Sequence, residues 1–223
     1  MKKVSFSTGY GTFFGLTSEG EEIMDRLIKK ASENKSFFPL SVDYKEKFYA
    51  SGRIPGGFFK REARPAEHEI IASRLTDRPI RPLFPSDFFN ETQVLINVLS
   101  YDGTINPDIL GTIGASAALS ISDIPWKGPV ASVRVGRVEG DFVVNPDFES
   151  LEKSDMEIIV SGTSDSILMV EGSADFISED DFLSSVQYAH EVIKEIINKG
   201  EKTLYLAIYN SNNQRSYITV KLK

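Results

Sequence analysis

The feature that most constrains folding is the run GRIPGGFFKREARPAEHEIIASRLTDRPIRPLFP, residues 52–85, because its glycines and prolines set where the backbone turns and where a helix starts and stops. Gly56 and Gly57 permit positive φ and Pro55 stiffens the approach, so the chain folds back sharply and presents Phe58, Phe59, Lys60 and Arg61 at a loop tip. Pro65, followed by Glu67 and Glu69, is the composition of a helix start. Ile70, Ile71 and Leu75 give that helix an apolar face. Pro79 and Pro82 supply no backbone donor and disfavour helix in the residues before them, so the spacing predicts an end near Asp77. Arg74, Arg78 and Arg81 then fall at the helix end and on an extended segment.

The same run carries Arg53, Lys60, Arg61, Arg64, Arg74, Arg78 and Arg81 in a chain of formal net charge -7. Cations gathered in one stretch of an otherwise acidic chain ask for an anionic ligand. Two readings are open for the tip. Phe58 and Phe59 either stack on bases while Lys60 and Arg61 pair with phosphates, or the two rings are buried in the core behind an ordinary turn. The arginines also admit two. Their planar forks suit bidentate phosphate contact, and they equally suit pairing with Asp77, Glu67 or Glu69 at a subunit or domain interface.

At 223 residues and 41% hydrophobic, the chain is long enough for one large domain with a substantial core. It has no cysteine, which excludes a disulfide framework and thiol-based metal sites. No apolar run is long enough to span a bilayer, so the expectation is a soluble, cytoplasmic protein without a membrane partner. Residues 6–16 read as short strands around Gly9 and Gly11, followed by a helix capped by Ser18 with Ile23, Leu27, Ile28 and Ala31 on one face. Residues 38–49 alternate as a strand with Leu40, Val42 and Tyr44 on one face, and Thr92–Tyr101 is apolar enough for a sheet centre. Residues 108–122, rich in alanine with Gly111 and Gly114, suit a helix pressed closely on that sheet.

Val130–Val138 and Asp141–Asn145 predict a hairpin turning at Glu139 and Gly140, and residues 156–162 and 166–171 a second strand pair. Ser178 begins a long helix to about Asn198, with Phe182, Val186, Ala189, Val192 and Ile196 as its buried stripe. Residues 203–209 and 216–222 alternate as a final hairpin. His68 and His190 read as separate helix-surface residues. Periodicity alone gives an α+β fold.

The motifs PGGFFKRE, DRPIRPLFP, IGASAALS and DIPWKGPV, in that order within residues 36–197, closely resemble the first RNase PH-like core of the bacterial polynucleotide phosphorylase family. The resemblance implies a ribosomal S5 domain 2-like arrangement of mixed sheets and packed helices over residues 36–200. An N-terminal segment, 1–35, and a C-terminal hairpin, 201–223, depart from the family pattern. It also implies an RNA-binding, ring-forming first core of a phosphorolytic 3′–5′ exoribonuclease. The implied partners are single-stranded RNA and a second RNase PH-like core, in a homotrimeric or pseudo-hexameric ring. The implied cofactors are Mg²⁺ and inorganic phosphate. By the same resemblance Phe58, Phe59, Lys60, Arg61, Arg74, Arg78 and Arg81 are the candidate RNA-binding residues.

The family places its phosphorolytic site in the second core, on a serine-rich phosphate turn and a pair of metal-binding acids. The corresponding turn here is Asn106-Pro107-Asp108-Ile109, which has no hydroxyl cluster and carries an acid that repels phosphate. Glu149 and Asp155, with Glu157 nearby, resemble the metal pair; acids before a strand are otherwise solvated. No catalytic residue is expected in this chain, which alone lacks the phosphorolytic site. The alternative function is a catalytically silent RNA-binding or structural subunit that supports a separate active core.

Overall fold

The Gly- and aromatic-rich start forms a strand pair, β1 (Ser5–Thr8) and β2 (Gly11–Phe14), in a computed structural model of the protein. The structure describes residues 5–8, 11–14, 37–54, 56, 64–202, 204–209 and 215–220, with side chains described over 37–54, 56 and 64–198. The helix expected behind Ser18 and the tip bearing Phe58, Phe59, Lys60 and Arg61 lie outside the described residues.

Alternation of apolar and polar residues makes β3 (Leu40–Glu46), which buries Leu40 and Tyr44 and turns Ser41 and Lys45 outward. The strand stops earlier than its pattern predicts, because residues 48–51 close a 3-10 turn that ends on Gly52 at φ 69°. The predicted helix follows as α1 (Glu67–Ile80), and β4 (Thr92–Val98) then returns parallel to β3, with Leu40 opposite Thr92 and Glu46 opposite Val98. The first sheet has the order β1-β2-β4-β3, so β4 is central as expected. Its two faces differ. Val94, Ile96 and Val98 are buried, whereas Gln93 and Leu95 on the opposite face are exposed.

Helix α1 corrects the sequence reading twice. It runs through Pro79 to Ile80 rather than ending near Asp77. A proline in a helix interior costs about 3 kcal/mol, and Pro79 forgoes a hydrogen bond to Leu75. Against that, Pro79 and Ile80 are fully buried, burial of an isoleucine returns about 1.5–3 kcal/mol, and the freed end is closed by other donors. Arg81 N–H reaches the Asp77 carbonyl, the Trp126 indole N–H donates to the Ile80 carbonyl at 3.2 Å, and Lys127 N–H donates to Leu83 at 3.0 Å. The buried face is Ala72, Leu75, Thr76, Pro79 and Ile80; Ile70 and Ile71 face solvent.

Small residues let α2 (Asp108–Ser120) lie close to the first sheet, with a Cβ at Gly111 just 3.4 Å from the side chains of Ile96 and Tyr44. Thr76 and Thr112 hydroxyls meet at 3.1 Å where α1 crosses α2, both buried. Beyond the helices lies the second sheet, β5 (Ala131–Val138), β6 (Asp141–Val144), β7 (Met156–Gly162) and β8 (Ile167–Ala174), in the order β6-β5-β7-β8. Glu139 and Gly140 both take positive φ, 54° and 91°, as a two-residue hairpin turn requires. A one-turn helix, α3 (Phe148–Glu152), precedes β7 where the sequence reading has only solvated acids; Asp147 caps it by accepting from Ser150 N–H at 2.8 Å.

The last layer is α4 (Glu179–Lys202), whose first turn is capped by Ser178 Oγ accepting from Asp181 N–H at 3.1 Å. Its buried line is Ser185, Ala189, Ile193 and Ile197, flanked by Val186, Val192 and Ile196. Of the predicted stripe, Ala189 is fully buried and Val186, Val192 and Ile196 are half-buried at its flanks, whereas Phe182 is exposed. Strands β9 (Leu204–Tyr209) and β10 (Arg215–Val220) pair antiparallel, as their alternation predicts.

The layers stack as sheet, helix pair, sheet, helix. Tyr44, Ile96, Ala72, Ile80, Ala115 and Leu119 join the first sheet to α1 and α2. Leu75, Ile109, Ile159 and Met169 join those helices to the second sheet. Val133, Val135, Ile158 and Val160 on the other face meet Ala189 and Ile193 of α4. Because β5 is covered on both sides, its residues alternate between two buried environments, and Ser132 and Arg134 point toward the helix pair.

Candidate functional site

The basic stretch returns to the fold at the head of α1, where carboxylates fix it to the end of β3. Glu69 accepts from Glu46 N–H at 2.7 Å and from Ala66 N–H at 2.6 Å, closing the first turn of the helix. The Tyr44 hydroxyl donates to Glu46 at 2.9 Å, and His68 Nε2 lies 3.3 Å from the same carboxylate. Burial, with Glu46 alongside, holds the Tyr44 phenol far above its ordinary range, so it stays a donor. Both ends of the 52–66 segment are thereby anchored beside one another, Gly52 by the 3-10 turn and Ala66 by Glu69.

The three helix arginines have three different environments. The Arg81 guanidinium is engaged within the chain: Nε and Nη2 donate to Asp77 at 3.0 and 2.6 Å, Nη1 to the Phe38 carbonyl at 3.3 Å, and Nη2 to the Leu40 carbonyl at 3.1 Å. It also lies over the Phe38 ring, 5.9 Å from the centroid, within a cluster with Phe84 and Phe88. Arg78 pairs with Glu171 of β8. Arg74 is exposed, and no carboxylate pairs with it among the described residues; the same holds for Arg53 and Arg64. Of the pairings open to these arginines in the sequence, Arg81 with Asp77 is the one formed.

Among the described residues, the most deeply buried charges lie where α2 meets β5. Arg134 donates to the carboxylates of Asp108 and Glu157, and the Arg134 and Asp108 side chains are each just 8% exposed. The second oxygen of Asp108 accepts from Ile109 N–H at 2.7 Å. At the head of α2, where helix N–H groups favour an anion, the anion present is therefore the chain's own carboxylate. Two carboxylates share one guanidinium. The sequence held one signal of this, Arg134 in the middle of the strand run ASVRVGRV, which demands a buried acid without saying which.

The acids that resemble a metal pair are each turned to a cation. Glu149 pairs with Lys153 at 2.7 Å, four residues on. Asp155 receives Arg137 through Nε at 2.9 Å and Nη2 at 2.6 Å, while Arg137 Nη1 reaches Asp181 at 2.8 Å. The Arg137 contacts hold the Asp155 carboxyl below its usual range; Asp181 is lowered by Ser178 and then by Arg137. Among the described residues no three carboxylates or histidines converge on a point, and this donor set does not fit Mg²⁺. His190 likewise is far from His68 in its contacts, its Nε2 lying 3.1 Å from the Thr163 carbonyl.

The division into two sheets coincides with the boundary between two family matches. Residues 24–125 match domain 1 of the 3′ exoribonuclease family, and residues 128–192 match domain 2. The chain belongs to the 3′ exoribonuclease family. Both family domains are therefore present in order, the first supplying β3, α1, β4 and α2 and the second the four-stranded sheet with most of α4. This is the make-up of an RNase PH-like core, and the α+β fold agrees with it. Among curated relatives, the polyribonucleotide nucleotidyltransferase of Geotalea daltonii is 55% identical over 169 residues, 76% of this chain and 24% of that protein. That of Thermomicrobium roseum is 57% identical over 169 residues, 76% of this chain and 21% of the relative. That of Pelobacter propionicus is 52% identical over 179 residues, 80% and 25%. The chain thus spans about a quarter of the length of these family members. Among the described residues no helix is long and apolar enough to cross a membrane.

Proposed function

We propose that this chain acts in the cytoplasm as the RNA-binding, ring-forming first core of a phosphorolytic 3′–5′ exoribonuclease. In this reading the phosphorolytic site, with its Mg²⁺ and inorganic phosphate, is in a second RNase PH-like core. The observation that carries it is the Asp108–Arg134–Glu157 cluster: the head of α2, where helix N–H groups favour an anion, is closed by the protein's own carboxylate. A phosphate there would meet two acids and no free cation, and phosphorolysis needs phosphate held in line with the scissile bond.

RNA contact is assigned to the tip bearing Phe58, Phe59, Lys60 and Arg61, whose rings and charges suit single-stranded RNA. Arg81, with each of its guanidinium nitrogens hydrogen-bonded within the chain, acts as a structural residue, and Arg78 acts through Glu171. Arg74 stands beside exposed Ile70 and Ile71, a setting that favours the neighbour-facing reading of this arginine over the phosphate-facing one. The test is fluorescence anisotropy with labelled oligo(A). Phe58→Ala with Phe59→Ala weakens binding by about 1–3 kcal/mol per stacked base, and Lys60→Ala with Arg61→Ala lowers the slope of log K against log salt. Unchanged affinity in a folded double-alanine variant refutes the assignment.

A further inference from the structure

The hairpin of β9 and β10 sorts its residues by chemistry. Its register sets Arg215 opposite Tyr209, Tyr217 opposite Ala207 and Thr219 opposite Tyr205, and directly opposed residues share a face. One face of the ribbon therefore carries three tyrosines and an arginine. The other carries Leu204, Leu206, Ile208, Ile218 and Val220, with Ser216 among them. Residues 203–223 contain Arg215, Lys221 and Lys223 and no acid, in a chain of formal net charge -7.

Position adds to composition. Strand β9 lies alongside β1, the edge strand of the first sheet. Across that sheet Thr8 is opposite Gly11, Gly11 opposite Val98 and Val98 opposite Glu46. Three strand spacings, about 14 Å, thus separate the edge that the hairpin adjoins from Glu46. The Glu46 N–H donates to Glu69, at the base of the 52–66 segment. The hairpin and the segment that bears Phe58, Phe59, Lys60 and Arg61 therefore belong to opposite edges of one narrow sheet.

We infer that the tyrosine face of this hairpin is a second platform for single-stranded RNA, continuing the path that begins at the Phe58–Arg61 tip. A two-stranded hairpin is marginal in water by itself, so the aliphatic face is the one that folding covers and the tyrosine face serves the ligand. Bases stack on aromatic rings whatever their sequence, and sheet surfaces that bind single strands use rings in this way. The cations of an acid-free segment supply charge for the phosphates. The inference rests on the RNA-binding part of the proposed function and names where the strand goes beyond the tip.

Fluorescence anisotropy with labelled oligo(A) and the full chain tests it. Tyr205→Ala with Tyr217→Ala lowers affinity about tenfold or more, whereas Tyr205→Phe with Tyr217→Phe holds it within about threefold, because a phenyl ring also stacks. Arg215→Ala lowers the slope of log K against log salt by about 0.7. In the unmodified chain, photocrosslinking of thiouridine-substituted oligo(U) followed by peptide mapping marks Tyr217, a readout that needs no variant to fold. Affinity lost at the hairpin but not in Phe58→Ala with Phe59→Ala upholds the platform and removes the tip. Affinity lost at the tip alone, or no crosslink within residues 203–223, overturns the platform and leaves the tip reading standing. A double-alanine hairpin variant that melts several degrees lower and binds as before assigns the tyrosines to packing and overturns the platform as well.

Discussion

Asp108→Ala is the substitution whose cost the structure defines most closely. It removes one of two acids from Arg134, a guanidinium whose side chain is 8% exposed. Removing one partner of a buried ion pair costs about 3–5 kcal/mol, because the remaining charge stays buried without its partner. Glu157 remains on Arg134 and is itself 41% exposed, which places the loss near the lower end, about 3 kcal/mol. The Ile109 N–H also loses its acceptor. For a domain of this size about 2–4 °C of melting temperature corresponds to each kcal/mol, so calorimetry should show a drop of about 6–12 °C. Replacing the cation as well, in Asp108→Ala with Arg134→Met, removes the stranded charge and recovers most of the loss, since Glu157 is solvated. A single variant within about 0.5 kcal/mol of the parent, the range of an ordinary surface substitution, refutes the reasoning. So does a double variant less stable than the single.

Two further outcomes follow from the second sheet. The folded-state carboxyls of Asp155 and Asp181 are depressed, so the stability that they contribute is fully present above the ordinary carboxyl value, about 3.9, and is lost as pH falls through the folded values. Urea midpoints measured from pH 6 down to pH 3 should fall less steeply in Arg137→Gln than in the parent; parallel curves contradict the assignment. Gly172→Ala puts a Cβ 2.1 Å from the Glu157 carbonyl oxygen and 2.6 Å from Ile158 Cα, both backbone, so β8 must move from β7. The expected loss is about 1–3 kcal/mol by urea denaturation, and no measurable loss contradicts the close approach of the two strands.

Elements written in a local period were legible in the sequence. Alternation gave β3, the strand runs on either side of Glu139–Gly140 gave the β5–β6 hairpin, and Ser178 with three acids gave the start of α4. What failed was decided by contacts distant in sequence. Nothing near Pro79 says that Trp126 will donate to the Ile80 carbonyl, and that contact helps carry α1 past the proline. Ile70 and Ile71 look like a core face, yet Ala72 and Thr76 are the residues small enough to sit against α2, which rotates the helix and leaves the isoleucines outside. Arg81 reads as a phosphate ligand from composition, and only the arrival of Phe38 and Leu40 shows that its donors are used. The run PDILG gives no sign that Asp108 is buried against an arginine in position 134. The family, by contrast, was legible from four motifs in order.

The central claim, an RNA-binding core without its own phosphorolytic site, is tested most directly by phosphate-dependent release of ADP from oligo(A) by the purified chain in the presence of Mg²⁺. The account predicts no release above a no-protein control under conditions where the same oligomer is bound. Sustained ADP production that survives Arg61→Ala but disappears in Asp155→Asn would contradict it and make the Asp155 carboxylate catalytic.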